Sequence, residues 1–292
     1  MTGKIIKGIG GFYYVHIVHS GIFKCSAKGI FRYKKIKPLV GDNVVVEILN
    51  EEEMTGNIVD ILPRKNQLIR PAVANIDQAL VVFAVKSPMP NLNLLDRFLV
   101  MMETQNVNSV LCFNKTDLVD ESSLIELKKT YVSARYHVIF TSTIDNYGLE
   151  DVRKILDGKT TSLAGPSGVG KSSMLNAIMP ENVMEIGDIS KKIERGKHTT
   201  RHTELFNVEG NTYIMDTPGF SSMYVCQCEK EELKSYFPEI IELEGGCRFN
   251  GCVHINEPKC AVKEAVMQGE IGSSRYDNYK IMYEEIKNKK KY

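Results

Sequence analysis

Apolar residues in the first sixty or so positions fall in short alternating or β-branched runs, which predict β-strands. Turn-forming pairs separate these runs, among them Gly10-Gly11, Ser20-Gly21 and Gly41-Asp42. The predicted strands are Ile5–Ile6, Phe12–Val18, Ile22–Cys25, Asn43–Leu49 and Asn57–Leu62. Several short strands joined by such turns are typical of a small all-β barrel.

The pattern changes after Gln78, where apolar strand-like runs begin to alternate with amphipathic helical stretches. The predicted strands are Ala79–Val85, Val110–Phe113, Val138–Phe140, Thr161–Ala164, Thr203–Val208 and Thr212–Met215. The predicted helices are Leu94–Glu103, Ser123–Arg135, Leu149–Leu156 and one that begins near Lys171. This alternation predicts a three-layer α/β domain with a largely parallel sheet.

Beyond Gly219 the pattern is mostly helical, and it surrounds a cysteine-rich loop. The predicted helices are Lys230–Glu242, Ala261–Met267 and Arg275–Lys287. The predicted fold class is therefore multidomain. We expect an N-terminal all-β barrel over residues 1–68, a central α/β domain over residues 69–223 and a C-terminal, mostly α domain over residues 224–292.

Composition supports a folded protein and excludes several classes. Of the 292 residues 43% are hydrophobic, and 37 Lys and Arg balance 36 Asp and Glu, so disorder is not expected. No apolar run reaches the ~18 residues of a membrane span. Met1-Thr2-Gly3-Lys4 does not resemble a signal peptide. We expect a cytoplasmic protein with no membrane partner.

A phosphate-binding loop is the strongest chemical signal. Gly165-Pro166-Ser167-Gly168-Val169-Gly170-Lys171-Ser172 matches the eight-residue pattern, between a predicted strand and a predicted helix. Glycines let successive N–H groups face a phosphate at a helix N-terminus. Lys171 would bridge the β- and γ-phosphates, Ser172 would bind Mg²⁺, and Ser173 completes the predicted nucleotide site. The alternative is a chance glycine-rich turn with a surface lysine.

Two further motifs predict a guanine base. Asn114-Lys115-Thr116-Asp117 follows a predicted strand and matches NKxD, in which an aspartate accepts from guanine N1–H and N2–H₂. Thr141-Ser142-Thr143 follows the next strand and matches the segment whose backbone N–H contacts guanine O6, although Ile144 stands where lysine is common. Alone, NKxD is often a surface turn. With the phosphate loop it predicts a GTP- or GDP-binding site.

Asp216-Thr217-Pro218-Gly219 matches DxxG, in which Asp216 would hold Mg²⁺ through water and Gly219 would contact the γ-phosphate. The motif order is unusual, because the guanine motifs precede the phosphate loop. We therefore expect a circularly permuted GTPase domain, with the strand from Ala79 beside the strand that ends at Asp216. The chain leaves DxxG directly into the C-terminal domain, so we hypothesise that hydrolysis repositions that domain.

The first switch is predicted in Gly196-Lys197-His198-Thr199-Thr200-Arg201-His202, a polar loop that Mg²⁺ and γ-phosphate could order. Thr200 is the predicted second Mg²⁺ ligand, with Thr199 as the alternative. Phe220 replaces the glutamine that often orients the attacking water. His198 is the catalytic candidate for that task, and the alternative is a surface histidine that contacts RNA.

A zinc site is predicted in the C-terminal domain from Cys247, Cys252, His254 and Cys260. Three thiolates and one imidazole match a closed structural zinc site, which would hold a loop that lacks a core of its own. The alternatives are unliganded thiols or competition from Cys226 and Cys228. Cys25 and Cys112 are expected to be buried apolar residues, since both lie on predicted strands.

The order of these motifs, from NKTD through TST, GPSGVGKS, GKHTT and DTPGF to the Cys/His cluster, resembles the bacterial ribosome small-subunit-dependent GTPase A family over essentially the whole chain. The resemblance implies an OB-fold barrel, a circularly permuted GTPase domain and a zinc-finger domain. It further implies GTP hydrolysis stimulated by the small ribosomal subunit in its late maturation. The family's switch histidine falls on His198, and Phe220 matches its apolar replacement of glutamine.

RNA binding by the barrel is compatible with an acid-free basic run interleaved with aromatic residues. The run comprises Lys24, Lys28, Arg32, Lys34, Lys35 and Lys37, with Phe23, Phe31 and Tyr33 between them. The alternative is a solvated charged face. We expect a monomer whose partners are the small subunit and its rRNA. A GTP-controlled RNA-binding scaffold with incidental turnover is the alternative function, and a GTPase serving a protein or membrane partner is disfavoured.

Overall fold

The structure is a computed structural model that describes residues 1–29, 31, 36–68, 72–178, 203–216 and 228–288, with the backbone alone at Asp216. The chain divides into two compact units. The first contains Met1–Leu80, Leu149–Ala164 and Lys171–Pro218, and the second contains Val81–Gly148, Gly165–Gly170 and Gly219–Tyr292. Among the described residues, none of the helices has the length and apolar character needed to cross a membrane.

The N-terminal strands form a closed five-stranded barrel. The strands are β1 (Thr2–Ile9), β2 (Phe12–Ile17), β3 (Gly21–Ala27), β4 (Asn43–Asn50) and β5 (Thr55–Ile61). They pair in the order β1-β2-β3-β5-β4 and close by pairing β4 with β1. Only the β3–β5 pair is parallel. Alternating residues such as Ile5, Val15, Cys25, Val44 and Ile58 are fully buried inside. The predicted OB-like barrel is confirmed.

Two short strands, β6 (Gln67–Leu68) and β7 (Val73–Ala74), precede a six-stranded sheet. The strands of that sheet are β8 (Gln78–Ala84), β9 (Asn108–Asn114), β10 (His137–Thr141), β11 (Thr160–Ala164), β12 (Phe206–Glu209) and β13 (Thr212–Asp216). Their order is β10-β9-β8-β11-β13-β12. The expectation that β8 lies beside β13 is wrong, because β11 pairs in parallel with β13 and lies between them.

The helices of the described chain begin close to the positions that periodicity predicts, with one exception. They are α1 (Leu92–Thr104), α2 (Glu121–Ser133), α3 (Leu149–Leu156), α4 (Lys171–Ile178), α5 (Pro238–Ile241), α6 (Ala261–Gln268) and α7 (Ser273–Asn288). The predicted helix Lys230–Glu242 is wrong, because the segment forms a 3₁₀ turn at Leu233–Tyr236 and then α5. Pro238 disfavours helical backbone at Phe237, which is extended with φ −121°.

The core of the C-terminal region is shared with α1. Phe237, Ile240, Tyr279 and Met282 are buried in one apolar cluster that also contains Val100 of α1. The helical C-terminal region therefore packs on a helix of the α/β domain within the second unit.

Candidate functional site

The two guanine motifs lie side by side at one edge of the sheet. Strands β9 and β10 are parallel, and their last residues, Asn114 and Thr141, are partners in the register. The loops that carry the remaining motif residues therefore leave the sheet at the same edge. Carboxyl ends of parallel strands are where α/β folds place ligands.

Asn114 joins the guanine motifs to the phosphate loop. Its side chain is fully buried. Its Nδ2 donates to the Val169 carbonyl at 2.9 Å, and its Oδ1 accepts from the Thr141 hydroxyl at 3.0 Å. Both polar ends of this side chain therefore have protein partners, and three separately predicted motifs are held together by one residue.

Asp117 presents its carboxylate at the surface while a neighbouring loop holds it. The residue is exposed, and its Oδ1 accepts a hydrogen bond from Ser142 Oγ at 2.8 Å. The loop after Ser142 closes on itself through backbone hydrogen bonds of 3.0 and 3.1 Å with Tyr147. Asp117 is thus oriented from the protein side and remains accessible to a base.

Lys115 lies in the left-handed region at φ +65° and donates from Nζ to the carbonyl of Ser87. Sequence reasoning missed Ser87. The signal available was the Ser87-Pro88 turn dipeptide, which is separated from the end of β8 by two residues. The contact orients the lysine stem along the loop that follows β8.

The phosphate loop has the predicted position between β11 and α4, and two glycines in it are sterically required. A Cβ at Gly165, where φ is +151°, would lie 2.1 Å from the Val82 carbonyl oxygen. A Cβ at Gly170, where φ is +96°, would lie 2.3 Å from Asn114 Nδ2. No side chain fits at either distance. The close approach of Gly170 is also what allows the Asn114 hydrogen bond to the loop.

The residues after the loop open helix α4. Lys171, Ser172 and Ser173 are its first three residues, and both serines are exposed. Strand β13 ends beside β11, because Asp216 and Leu163 are partners in the parallel register. The predicted residues His198, Thr199, Thr200 and Gly219 lie outside the described residues, as does the side chain of Asp216.

The predicted zinc ligands converge. The ligand atoms of Cys247, Cys252, His254 and Cys260 all lie within 4.8 Å of one another. The Sγ of Cys247 lies 3.6 Å from His254 Nδ1 and 3.8 Å from Cys260 Sγ, and His254 Nδ1 lies 3.3 Å from Cys260 Sγ. A tetrahedral Zn²⁺ with Zn–S of about 2.3 Å and Zn–N of about 2.0 Å needs edges of about 3.8 Å and about 3.5 Å. The donor set fits zinc.

Polar contacts hold the loop that carries these ligands. The Glu257 carboxylate accepts from three backbone N–H groups at 2.9 to 3.0 Å, those of Val253, Ile255 and Asn256. Burial opposes ionisation of Glu257, but these donors lower its pKa below the ordinary value. From α7, the hydroxyl of Tyr276 donates to the His254 carbonyl at 2.6 Å, and that of Tyr279 donates to the Val253 carbonyl at 2.7 Å. Sequence reasoning missed Glu257 and both tyrosines.

The remaining cysteines have other environments. Cys228 forms a disulfide bond, so its thiol does not compete for the metal, and Cys226 lies outside the described residues. Cys25 and Cys112 are buried as expected, and burial raises their pKa to about 11 and about 12.

The basic run on the barrel is described only in part, because Arg32, Tyr33, Lys34 and Lys35 lie outside the described residues. Phe23 and Phe31 are buried in the barrel, so the prediction that they interleave with the lysines as a stacking surface is wrong. Lys28 forms a 2.7 Å ion pair with Glu47. Sequence reasoning missed the exposed pair in which Lys24 Nζ lies 4.3 Å from the centroid of the Phe12 ring.

Several known proteins resemble this chain. The family model described as RsgA GTPase matches residues 61–226, and the model of the RsgA N-terminal domain matches residues 2–58. The protein named small ribosomal subunit biogenesis GTPase RsgA from Agathobacter rectalis is 56% identical, with both chains covered completely. The protein of the same name from Alkaliphilus metalliredigens is 50% identical over 99% of each chain.

Two solved structures match the fold. YjeQ from Thermotoga maritima aligns with a TM-score of 0.83 at 37% identity over 99% of each chain. YloQ, described as a circularly permuted GTPase, aligns with a TM-score of 0.81 at 39% identity over 100% of this chain and 96% of that one. These likenesses confirm the predicted arrangement of a barrel followed by a permuted α/β domain.

Proposed function

Because this chain belongs to the RsgA GTPase family, we propose that it hydrolyses GTP to GDP and phosphate when the small ribosomal subunit stimulates it, in late maturation of that subunit. The chain is a GTPase of ribosome biogenesis. The names of its relatives favour this function over a GTP-controlled scaffold with incidental turnover. The stimulation, its timing and the residues that carry it are the proposal.

One observation supports the nucleotide site most strongly: a single buried side chain, that of Asn114, forms hydrogen bonds with Val169 of the phosphate loop and with Thr141 of the second guanine motif. This arrangement supports a single ligand that spans both regions. The base end would be read by Asp117, whose exposed carboxylate can accept from guanine N1–H and N2–H₂, and by backbone groups of Thr141, Ser142 and Thr143. Adenine lacks that pair of donors.

At the phosphate end, the N–H groups of Gly165, of the loop residues that follow Pro166, and of the start of α4 would surround the β-phosphate. Lys171 would bridge the β- and γ-phosphates, and Ser173 would contact the nucleotide at the first turn of α4. Gly219 would donate its N–H to the γ-phosphate, and His198 would orient the attacking water.

Mg²⁺ would be held by Ser172, Asp216 and Thr200, with Thr199 as the alternative to Thr200. The exposed Ser172 in the first turn of α4, and the register that pairs Asp216 with the end of the strand before the loop, support this set. When bound, Mg²⁺ neutralises charge on the β- and γ-phosphate oxygens. The chain's own residues orient the phosphates and the water.

The Cys247, Cys252, His254 and Cys260 set would hold one structural Zn²⁺, because four protein ligands leave no position for a reacting water. We retain the three-domain division at residues 1–68, 69–223 and 224–292 as a proposal. The barrel would contact rRNA, and the exposed Lys24 and Phe12 pair supports that role. The protein would act as a cytoplasmic monomer.

The test compares GTP with ATP hydrolysis by the full-length protein, alone and with purified small or large ribosomal subunits. We expect the small subunit, but not the large one, to accelerate the hydrolysis of GTP and not that of ATP. The variant His198→Ala should lose this acceleration and still bind GDP. Asp117→Asn should weaken GDP binding, since an amide cannot accept both base protons. Equal stimulation of GTP hydrolysis by both subunits, or stimulation by neither, would refute the small subunit as the partner.

A further inference from the structure

Helix α2 connects the two loops that would read the guanine base. It begins at Glu121, four positions after Asp117, and β10 follows it and ends at Thr141. Displacement of α2 therefore displaces both loops relative to each other. Contacts from the C-terminal region reach α2, alongside contacts from α1 and β9.

The strongest of these contacts centre on Arg275, a fully buried arginine of α7. Its Nη1 lies 2.8 Å from Asp96 Oδ1 of α1, and its Nε lies 2.8 Å from Glu239 Oε1 of α5. Asn278 of α7 donates to the second oxygen of Asp96 at 2.5 Å. Both carboxylates are buried as well, so one arginine compensates two buried acids. A buried charge of this kind cannot leave its partners without a large desolvation penalty.

Tyr131 links this network to α2. Its hydroxyl donates to Asp96 Oδ1 at 3.2 Å, and its ring lies 5.9 Å from the Arg275 guanidinium. Burial raises the pKa of Tyr131 well above its ordinary value, so the phenol keeps the proton that it donates. Tyr131 also packs against Phe113 of β9, whose ring centroid lies 5.8 Å from that of Tyr131. Phe113 directly precedes Asn114.

The same arginine also reaches the start of β10. Its guanidinium lies 5.4 Å from the centroid of the Tyr136 ring, and Tyr136 immediately precedes that strand. The Arg275 network thus reaches the functional end of β9 at Phe113, through Tyr131, and the start of β10 at Tyr136. By contrast, the Arg135–Glu242 pair between the end of α2 and the C-terminal region is exposed, at 61% and 47% of the two side chains. Such a surface pair contributes little.

We infer that Arg275 is a positioning residue for guanine-nucleotide binding: through Asp96 and Tyr131 the C-terminal zinc region holds α2, and α2 holds the loops that read the base. The inference rests on the proposed guanine site. It opposes the hypothesis that hydrolysis repositions the C-terminal region relative to these loops, because the network ties the two together. Coupling between binding sites is reciprocal, so bound GDP stabilises α7 in return.

The test is hydrogen exchange of the full-length, zinc-loaded protein with and without GDP, with ADP as the ligand control. We expect GDP to slow exchange about fivefold or more both in the 114–117 loop and in α7. ADP should change neither. Protection of the loop without protection of α7 would overturn the inference and leave the guanine site intact. Absence of protection in both would overturn the guanine site and the inference with it.

Variants give the second arm. Arg275→Met leaves two buried carboxylates without a cation and can fail to fold, so Tyr131→Phe is the main variant, because it removes only the hydroxyl that bonds Asp96. We expect Tyr131→Phe to weaken GDP binding several-fold and to abolish the protection of α7, with the single-turnover rate of bound GTP unchanged. The matched control is Arg135→Met, which removes an exposed contact two residues beyond the end of the same helix and should change neither. Equal behaviour of the two variants would refute the role of the buried network.

Discussion

Replacing Asn114 with alanine should disconnect the phosphate loop from the guanine-reading loops. The amide is fully buried, and it is the donor to the Val169 carbonyl at 2.9 Å and the acceptor from Thr141 at 3.0 Å. Alanine removes both bonds without adding a clash. The Thr141 hydroxyl retains a neighbour in Cys112 Sγ at 3.3 Å, so the greater loss falls on the Val169 carbonyl.

The magnitude follows from these contacts. A buried polar group left without its partner costs about 1–3 kcal/mol, and a lost hydrogen bond about 1 kcal/mol. Asn114→Ala should therefore lower the free energy of unfolding by about 2–4 kcal/mol. If about 1.4 kcal/mol of this free energy is also lost from GDP binding, because the two loops are no longer held in place, GDP binding weakens about tenfold.

Two measurements check this prediction: urea unfolding followed by circular dichroism, and titration with a fluorescent guanine nucleotide. Asn108→Ala is the matched control, since Asn108 begins the same strand and is exposed. Asn114→Asp should be at least as damaging, because it turns a carboxylate oxygen toward the Val169 carbonyl. The reasoning is refuted if Asn114→Ala is no more destabilising than Asn108→Ala and binds GDP with unchanged affinity.

Three further outcomes are expected. Gly170→Ala should weaken GDP binding at least about tenfold, because its Cβ would lie 2.3 Å from a side-chain nitrogen, whereas Gly210→Ala, also at positive φ but in open space, should not. Cys252→Ser should lose stoichiometric zinc by atomic emission and lower the melting temperature, and full zinc retention would contradict the site. Burial lowers the pKa of His16 below its ordinary 6.5. As the pH drops below 6.5, His16 is therefore protonated more readily in the unfolded chain than in the folded one, so the free energy of unfolding falls. Urea midpoints between about pH 7.5 and 5.5 should fall less steeply in His16→Gln than in His19→Gln, and equal slopes would contradict the assignment.

The placement of the candidate site residues was predictable from the sequence because it depends on local spacing. A phosphate loop needs glycines within a few residues of one another, and Gly165 and Gly170 have the conformations that the motif implies. The predicted zinc ligands lie within fourteen positions of one another from Cys247 to Cys260, so one loop brings them together. The break in the predicted helix before Pro238 was also readable, since proline restricts the residue before it.

Other features depend on which distant segments meet. Phe23 and Phe31 follow the same local pattern as exposed aromatic residues, and only closure of the barrel decides that they are buried. The position of β11 between β8 and β13 is a choice among long-range strand pairings. Arg275 lies in a helix of low hydrophobic content and reads as a surface residue, yet it is fully buried because Asp96, 179 positions away, meets it.

The sequence by itself thus indicated the guanine-nucleotide ligand class, the Cys/His cluster and the succession of barrel, α/β and helical regions, because short-range spacing and periodicity specify them. The tertiary structure alone decided that Asn114 connects the phosphate loop to both guanine motifs and that a buried arginine connects the C-terminal region, through Asp96 and Tyr131, to the helix between those motifs. Burial and pairing are properties of the packed chain: the same asparagine or arginine is solvated or enclosed according to which distant residues surround it.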